Sequence, residues 1–326
     1  MLEIKSLHEA FEAYRQQHTF EQPPKGLYEP VEYIMSSPGK RLRPILALMG
    51  AALFKGDLSK CLPVAMAVEI FHNFSLVHDD IMDEAPLRRG RPAVHAKYGL
   101  NTGILSGDVM LIYAYKFLAQ GARAPGEVAN LLQVFNEVAI EVCEGQQFDV
   151  DFESRADVTI LEYINMIELK TAALIGGSLQ MGSITAGADE AAQAKLRSFG
   201  RNIGIAFQLQ DDILDTFGDP EKFGKRVGGD ILQNKKTFLI LKGLELAQGE
   251  AHDTLHLLMS TTPEDEAHKV QTVTQLLRDL DIPAWAEAQK KKYQEAAFGA
   301  LGALQAPESG KQQLRALSEQ LLVRES

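Results

Sequence analysis

Only two cysteines, Cys61 and Cys143, occur in 326 residues. Both lie in helix-like apolar stretches, which predicts two buried free thiols in a reducing compartment and excludes a disulfide-stapled scaffold. Basic residues are also scarce. Lys and Arg number 33 against 44 Asp and Glu, a net charge of −11, so a nucleic-acid partner or an anionic membrane surface is disfavoured. With 26 Gly and 13 Pro, neither a collagen-like nor a linker-rich chain is possible. No apolar run approaches the ~18 residues of a membrane span. The opening MLEIKSLHEAFEAY places charges at helical spacing where a signal peptide would have its apolar core. A cytoplasmic soluble protein without a membrane span is therefore expected. No solenoid-length repeat is present, and no Ser–His or Cys–His arrangement suggests a protein nucleophile.

What remains is helical periodicity from end to end. Leu2, Leu7, Ala10, Phe11 and Tyr14 mark one face of an opening helix, and 59–83 is apolar nearly all round, as a central helix is. Further helices are expected at about 100–121, 126–151, 157–183, 189–217, 230–248, 250–260, 265–279, 281–304 and 308–323. Gly and Pro punctuate the chain between them. Two loops are unusually basic or Gly-rich, 36–43 (SSPGKRLR) and 218–229 (GDPEKFGKRVGG). No linker or composition shift divides the chain, so 1–326 reads as a single all-α domain, a helical bundle.

One short element recurs. Asp-Asp-Ile-x-Asp stands at 79–83 and again at 211–215. Residues four apart share a helix face, so Asp79 pairs with Asp83 and Asp211 with Asp215, while Asp80 and Asp212 lie adjacent. Like charges at that spacing cost a helix about 0.2–0.5 kcal/mol per pair. Phe74, Leu76, Val77 and Ile81 flank the first cluster, and Phe207, Leu209, Ile213 and Leu214 the second, so these are core-facing helices. Crowded carboxylates at the edge of an apolar helix call for a cation, and hard oxygen ligands point to magnesium. Magnesium takes one or two carboxylates and completes its shell with water and phosphate oxygens, so six carboxylates suggest several ions clamping a polyphosphate.

The cations of this acidic chain are ordered around those clusters. Arg88 and Arg89 follow Asp83 by a few residues. Lys40, Arg41 and Arg43 sit in a Gly-led loop that opens a helix, a place suited to phosphate oxygens. Lys225 and Lys235 follow the second cluster, and Lys170-Thr171 interrupts an apolar helix. His78 and His95 read equally as structural and carry no assigned chemistry, and for His72 and Gln208 the reading as satisfied core polar residues stays open.

Taken together, Gly39-Lys40-Arg41-Leu42-Arg43-Pro44, Asp79–Asp83 with Leu87-Arg88-Arg89-Gly90, Lys170-Thr171, and Phe207-Gln208 ahead of Asp211–Asp215 resemble the trans-isoprenyl diphosphate synthases, or polyprenyl synthetases. The resemblance runs from about residue 38 to 240. It implies an isoprenoid-synthase-type bundle with a central cavity between the aspartate helices, a homodimer, and about three magnesium ions. It further implies that Asp79, Asp83 and Asp211 bind magnesium, with Asp215, Asp80 and Asp212 as direct, water-mediated or supporting partners. Arg88, Lys170, Lys225 and Lys235 would hold the allylic diphosphate. Lys40, Arg41, Arg43, His72 and Arg89 would hold isopentenyl diphosphate. Gln208 and Thr171 would lie beside the reacting carbons, and Gln146 and Asp149, matching Gly-Gln-x-x-Asp, would orient the basic residues. The single arginine of the tail, Arg324, departs from the basic tail of eukaryotic farnesyl synthases.

The implied chemistry is head-to-tail condensation: ionisation of an allylic diphosphate, attack by the isopentenyl double bond, and loss of a proton. Terpene cyclases and head-to-head synthases share the fold but have no use for the second diphosphate pocket that Lys40–Arg43 and Arg88-Arg89 suggest. A non-catalytic partner subunit of a prenyl synthase would be expected to have eroded clusters. Product length is expected to depend on Phe71, Phe74 and Ser75, which lie eight, five and four residues before Asp79 and fall on one face of the helix. With an aromatic only at the fifth place and an uninterrupted first cluster, the pattern resembles archaeal-type geranylgeranyl synthases, with a farnesyl product as the alternative.

Overall fold

The computed structural model describes residues 3–122, 124–219, 227–262 and 265–323. The chain is helical nearly throughout. The elements in order are α1 (Ile4–Gln16), α2 (Lys25–Met35), α3 (Leu42–Leu53), α4 (Leu58–Met82), β1 (Leu87–Arg88), β2 (Arg91–Pro92), α5 (Val94–Tyr98), α6 (Leu100–Gln120) and α7 (Pro125–Ser154). There follow α8 (Ile160–Ile167), a π-helical turn (Glu168–Ala172), α9 (Ala173–Thr185), α10 (Glu190–Phe217), α11 (Gly229–Leu232), α12 (Phe238–Leu246), α13 (Glu250–Leu258), α14 (Glu266–Asp279), α15 (Ile282–Gly302) and α16 (Glu308–Leu322).

The Cα framework comprises two compact units. One contains Met1–Ala139, Leu174–Arg197 and Leu304–Gln312; the other contains Ile140–Ala173, Ser198–Ala303 and Gln313–Ser326. In the first, α4 is the core helix, with Cys61, Val64, Met66, Val68, Ile70 and Phe71 all buried and α3 and α6 packed along it. Asp57 starts α4 by accepting a hydrogen bond from the Ser59 amide. In the second unit, Phe152, Tyr163, Ile167, Leu209, Phe238, Leu241, Val273 and Leu277 belong to one buried cluster.

The structure departs from the sequence expectations at several places. By length and composition α4 could cross a membrane, contrary to the expectation that no apolar run is long enough, but 72% of its apolar window is buried within the protein. Cys143 is exposed, whereas Cys61 is buried, and both are free thiols. Residues 87–92 form a two-stranded antiparallel hairpin. α2 lies where Pro24, Gly26 and Pro30 break the helical signal. The helix expected over 230–248 is divided at Asn234, whose φ is +56°. Lys269 holds that break by donating to Asn234 Oδ1 and to the Thr261 carbonyl.

Helix α8 begins on a reciprocal cap. Thr159 Oγ1 accepts from the Glu162 amide at 3.2 Å, while Glu162 Oε2 accepts from the Thr159 amide at 2.9 Å. Thr159→Ala should therefore lower stability by about 1 kcal/mol. Urea unfolding should show the loss as a lower midpoint with an unchanged slope.

Candidate functional site

The first acidic cluster closes α4. Asp79 and Asp80 occupy its last turn and Asp83 is its C-cap. The end carbonyls already carry the negative pole of the helix, so carboxylates there compound the potential that a cation relieves. The hairpin supplies one cation. Arg88 Nε donates to Asp80 Oδ1 at 2.8 Å and Nη2 to Asp79 Oδ2 at 3.1 Å, with a further Nη2 bond to Asp80 Oδ1. Asp80 is buried, and its Oδ2 has no hydrogen-bond partner among the described residues. Burial pushes the Asp80 carboxyl up against the pull of Arg88.

Arg89 faces elsewhere. It sits at the hairpin turn with Gly90, both at positive φ, as a two-residue turn between twisted strands requires. Its Nη1 donates to the Pro38 carbonyl at 3.0 Å. A Cβ on Gly39 would come within 2.6 Å of that nitrogen, so glycine here makes room for the guanidinium. Arg43 Nη1 lies 3.2 Å from His72 Nε2, and Arg43 Nε is buried without a partner among the described residues. Burial brings the Arg43 pKa down to about 10. The His72 imidazole is held well below its ordinary value, first by burial and then by Arg43, Arg89, Arg88 and Arg41. Lys40 is exposed beside them.

Arg41, expected to help hold isopentenyl diphosphate, is only 7% exposed, and its guanidinium is engaged by protein groups. Nε donates to Glu12 Oε1 at 3.1 Å, Nη1 to Glu69 Oε1 at 2.6 Å, and Nη2 to the Met35 and Ser37 carbonyls at 2.8 and 2.9 Å. It ties α1, α2 and α4 beneath the loop. Sequence reasoning also missed a clamp on the hairpin. Tyr33 Oη donates to the Pro92 carbonyl at 2.9 Å. The Arg91 guanidinium lies 4.1 Å over the Tyr33 ring and donates to Ser37 Oγ at 3.1 Å. The Arg-Arg-Gly-Arg run was the available signal.

The chain-length candidates fall on α4 above the cluster. Phe71 is buried against Phe135 at 5.2 Å and Phe74 at 5.5 Å between ring centroids, and Phe74 meets His78 at 4.9 Å. Phe74 and Ser75 are half-buried, and Ser75 Oγ donates to the His72 carbonyl.

The second acidic cluster occupies the last two turns of α10. Asp212 is buried and accepts from Tyr163 Oη and from Gln208 Nε2, the latter at 3.1 Å. Burial, then the Asp230 charge, push this carboxyl well above the usual range. Asp215 Oδ2 accepts from the Asp230 amide at 3.0 Å. Lys170 and Thr171 stand on the π-helical turn, a feature that often marks functional positions. Lys170 Nζ donates to Asp149 Oδ2 at 2.6 Å, and Thr171 Oγ1 to Gln208 Oε1 at 3.4 Å. A Cβ on Gly145 would lie 2.2 Å from the Lys170 amide nitrogen. The Gly-Gln-x-x-Asp pattern thus has a physical basis: the glycine lets α7 approach the turn, and Asp149, one helical turn on, meets Lys170. Gln146 is half-buried one residue along and Lys235 follows α11. Lys225 lies outside the described residues. Tyr163 was missed, although a tyrosine in the apolar run ILEYINMI must find a partner for its hydroxyl when buried.

No three His, Cys, Asp or Glu side chains among the described residues form a closed metal site. Magnesium needs none, since one or two carboxylates with water and phosphate oxygens suffice. Hard oxygen donors at a helix C-terminus, together with the partnerless Asp80 Oδ2, fit such an ion.

The polyprenyl synthetase family model matches residues 24–277. A geranylgeranyl diphosphate synthase from Methanosarcina mazei is 38% identical over 252 residues, 77% of this chain and 77% of the relative. The crystal structure of a geranylgeranyl pyrophosphate synthase superposes with a TM-score of 0.94 at 44% identity, covering 100% of both chains. A geranylgeranyl pyrophosphate synthase from Corynebacterium glutamicum, complexed with isoprenyl diphosphate and magnesium, gives a TM-score of 0.84 at 26% identity, covering 98% of this chain and 97% of that one.

The depressed His72 pKa sets a pH dependence. The unfolded chain takes up a proton at this histidine near pH 6.5, where the folded protein does not. The unfolded state then binds more protons, so stability should fall as pH drops below about 6.5. Chemical denaturation between pH 7.5 and about 5 should show a shallower decline for His72→Gln than for the parent. Parallel curves would contradict the assignment.

Proposed function

This chain belongs to the polyprenyl synthetase family and is a prenyltransferase; from that premise we propose that it condenses isopentenyl diphosphate head to tail with an allylic diphosphate, giving geranylgeranyl diphosphate. The observation that carries this reading is the division of the arginine hairpin. Arg88 turns to Asp79 and Asp80, while its neighbour Arg89 turns to the Pro38-Gly39 loop near Lys40, Arg43 and His72. An enzyme with one anionic substrate needs one such group, whereas a condensing enzyme needs two.

In this reading Lys40, Arg43, His72 and Arg89 bind isopentenyl diphosphate. A neutral His72 accepts from Arg43 and leaves the guanidinium's remaining donors for phosphate oxygens. Arg88, Lys170, Lys225 and Lys235 hold the allylic diphosphate. Asp79, Asp83, Asp211 and Asp215 hold magnesium, which when bound neutralises the departing diphosphate. Gln208 Oε1 and Thr171 Oγ1 direct partial negative charge at the allylic cation. Apolar helix faces around the growing tail exclude the water that would quench it. Relatives named for geranylgeranyl products support the product assignment, as does Phe74, half-buried and wedged between Phe71 and His78. The protein works in the cytoplasm as a homodimer. Ile104, Leu105 and Ile112, exposed on one face of α6, are a surface that a second copy would cover.

Asp79→Ala and Asp211→Ala should each lower turnover with magnesium by roughly 100-fold or more, since several kcal/mol of charge stabilisation are lost. The helical circular dichroism should be unchanged. Near-normal turnover of either variant would overturn the metal assignment. Phe74→Ala should lengthen the product by one isoprene unit or more, read by mass spectrometry of the dephosphorylated alcohols. An unchanged product distribution removes Phe74 as the stop.

A further inference from the structure

Four side chains of the second unit form one hydrogen-bonded chain. Tyr163 on α8 donates through Oη to Asp212 on α10. Gln208, one turn earlier on α10, donates through Nε2 to Asp212 Oδ1 at 3.1 Å. Thr171, on the π-helical turn that continues α8, donates to Gln208 Oε1 at 3.4 Å. Tyr163 is 3% exposed and Asp212 2%, so neither can exchange its partner for water without disrupting the core.

A glutamine amide has a donor end and an acceptor end of nearly identical shape, and only its neighbours decide which way round it lies. Thr171 does not decide, because a hydroxyl both donates and accepts. With Tyr163 bonded at Oδ2, Asp212 Oδ1 is left as an acceptor toward Gln208, and Asp212 therefore selects the NH2 end. Asp212 can enforce this only while its own orientation is fixed. Its Oδ1 serves Gln208 and its Oδ2 serves Tyr163, so the Tyr163 hydroxyl locks the carboxylate in place.

We propose that Tyr163 is a positioning residue for the condensation: through Asp212 it fixes the Gln208 amide with Oε1 on the Thr171 side, where negative charge is needed as the allylic carbon ionises. This inference rests on the functional reading above. Without the tyrosine hydroxyl the carboxylate can turn and the amide can invert, placing NH2 donors, which carry partial positive charge, where the cation forms. Ground-state binding of the two diphosphates, which involves none of these four side chains in that reading, stays as it was. Loss of a group that acts only in the transition state lowers kcat and kcat/KM equally.

The test is a double-mutant cycle on the full chain, with isopentenyl diphosphate and geranyl diphosphate as substrates. Tyr163→Phe should lower kcat roughly 10–100-fold, as loss of a residue orienting a catalytic group does, with both KM values within about twofold of the parent. In the Tyr163→Phe/Gln208→Ala double variant, kcat should be no lower than in Gln208→Ala alone, because the tyrosine has nothing left to orient. Multiplied losses, or a Tyr163→Phe enzyme with parental kcat, would overturn the proposal. If Tyr163→Phe lacks a cooperative melting transition, Asp212→Asn, which is nearly the same size, replaces it in the same cycle with the same criterion. A parent enzyme that makes no elongated diphosphate would refute the functional reading; a parent that elongates, with multiplied losses in the cycle, would refute only the role of Tyr163.

Discussion

Carboxylates at the C-terminal end of a helix sit against the negative pole of its own backbone, and this chain places a cluster there twice. Asp79, Asp80 and Asp83 close α4, and Asp211, Asp212 and Asp215 occupy the last turns of α10. Much of the polar architecture follows from containing that charge. At the first cluster Arg88 engages Asp79 and Asp80. At the second, the inward-facing Asp212 is satisfied by Tyr163 and Gln208. In each case the middle aspartate is the buried one, and the outer pair lies at the i, i+4 spacing that leaves two carboxylates on one face for a metal. A buried charge stripped of its partner costs far more than an exposed one. The middle aspartates therefore anchor the clusters.

The arginines divide the opposite charge by orientation, which residue type alone does not reveal. Arg41 and Arg43 differ by two positions in one basic loop, yet Arg41 spends its donors on Glu12, Glu69 and two carbonyls, while Arg43 meets His72 and leaves its Nε without a partner among the described residues. The first is a strut and the second has hydrogen-bonding capacity in reserve. Arg88 and Arg89 are separated in the same way by a two-residue turn. Without the positive φ of Arg89 the two guanidinium groups would not reach different partners.

This is also where sequence reading reaches its limit. Apolar periodicity located α4, α7 and α10 because it depends only on which face is buried. It could not locate the break at Asn234, which depends on a lysine 35 residues away, nor the π-helical turn within the helix expected over 157–183, which follows from the approach of Gly145. The acidic clusters and their basic neighbours were legible because their order along the chain is itself the signal. Tyr163 was not, since one hydroxyl in an apolar helix has no pattern. The exposure of Cys143 was missed because an apolar neighbourhood in sequence does not determine which side of a helix faces water.

In the proposed reading, product length depends on a distinction of the same kind. Phe71 and Phe74 stand three apart on α4, and by spacing alone either could end a cavity. Their packing separates them. Phe71 is 1% exposed and meets Phe135 edge-on, so removing it would open the core between α4 and α7 and cost stability of the order of 3–5 kcal/mol. Phe74 has core on only part of its surface and is held by Phe71 on one side and His78 on the other. A ring fixed on two sides and open on the remainder can stop a growing chain without being needed to hold the fold together. In that reading Phe74 can vary with product length, whereas Phe71 is constrained by the core it fills.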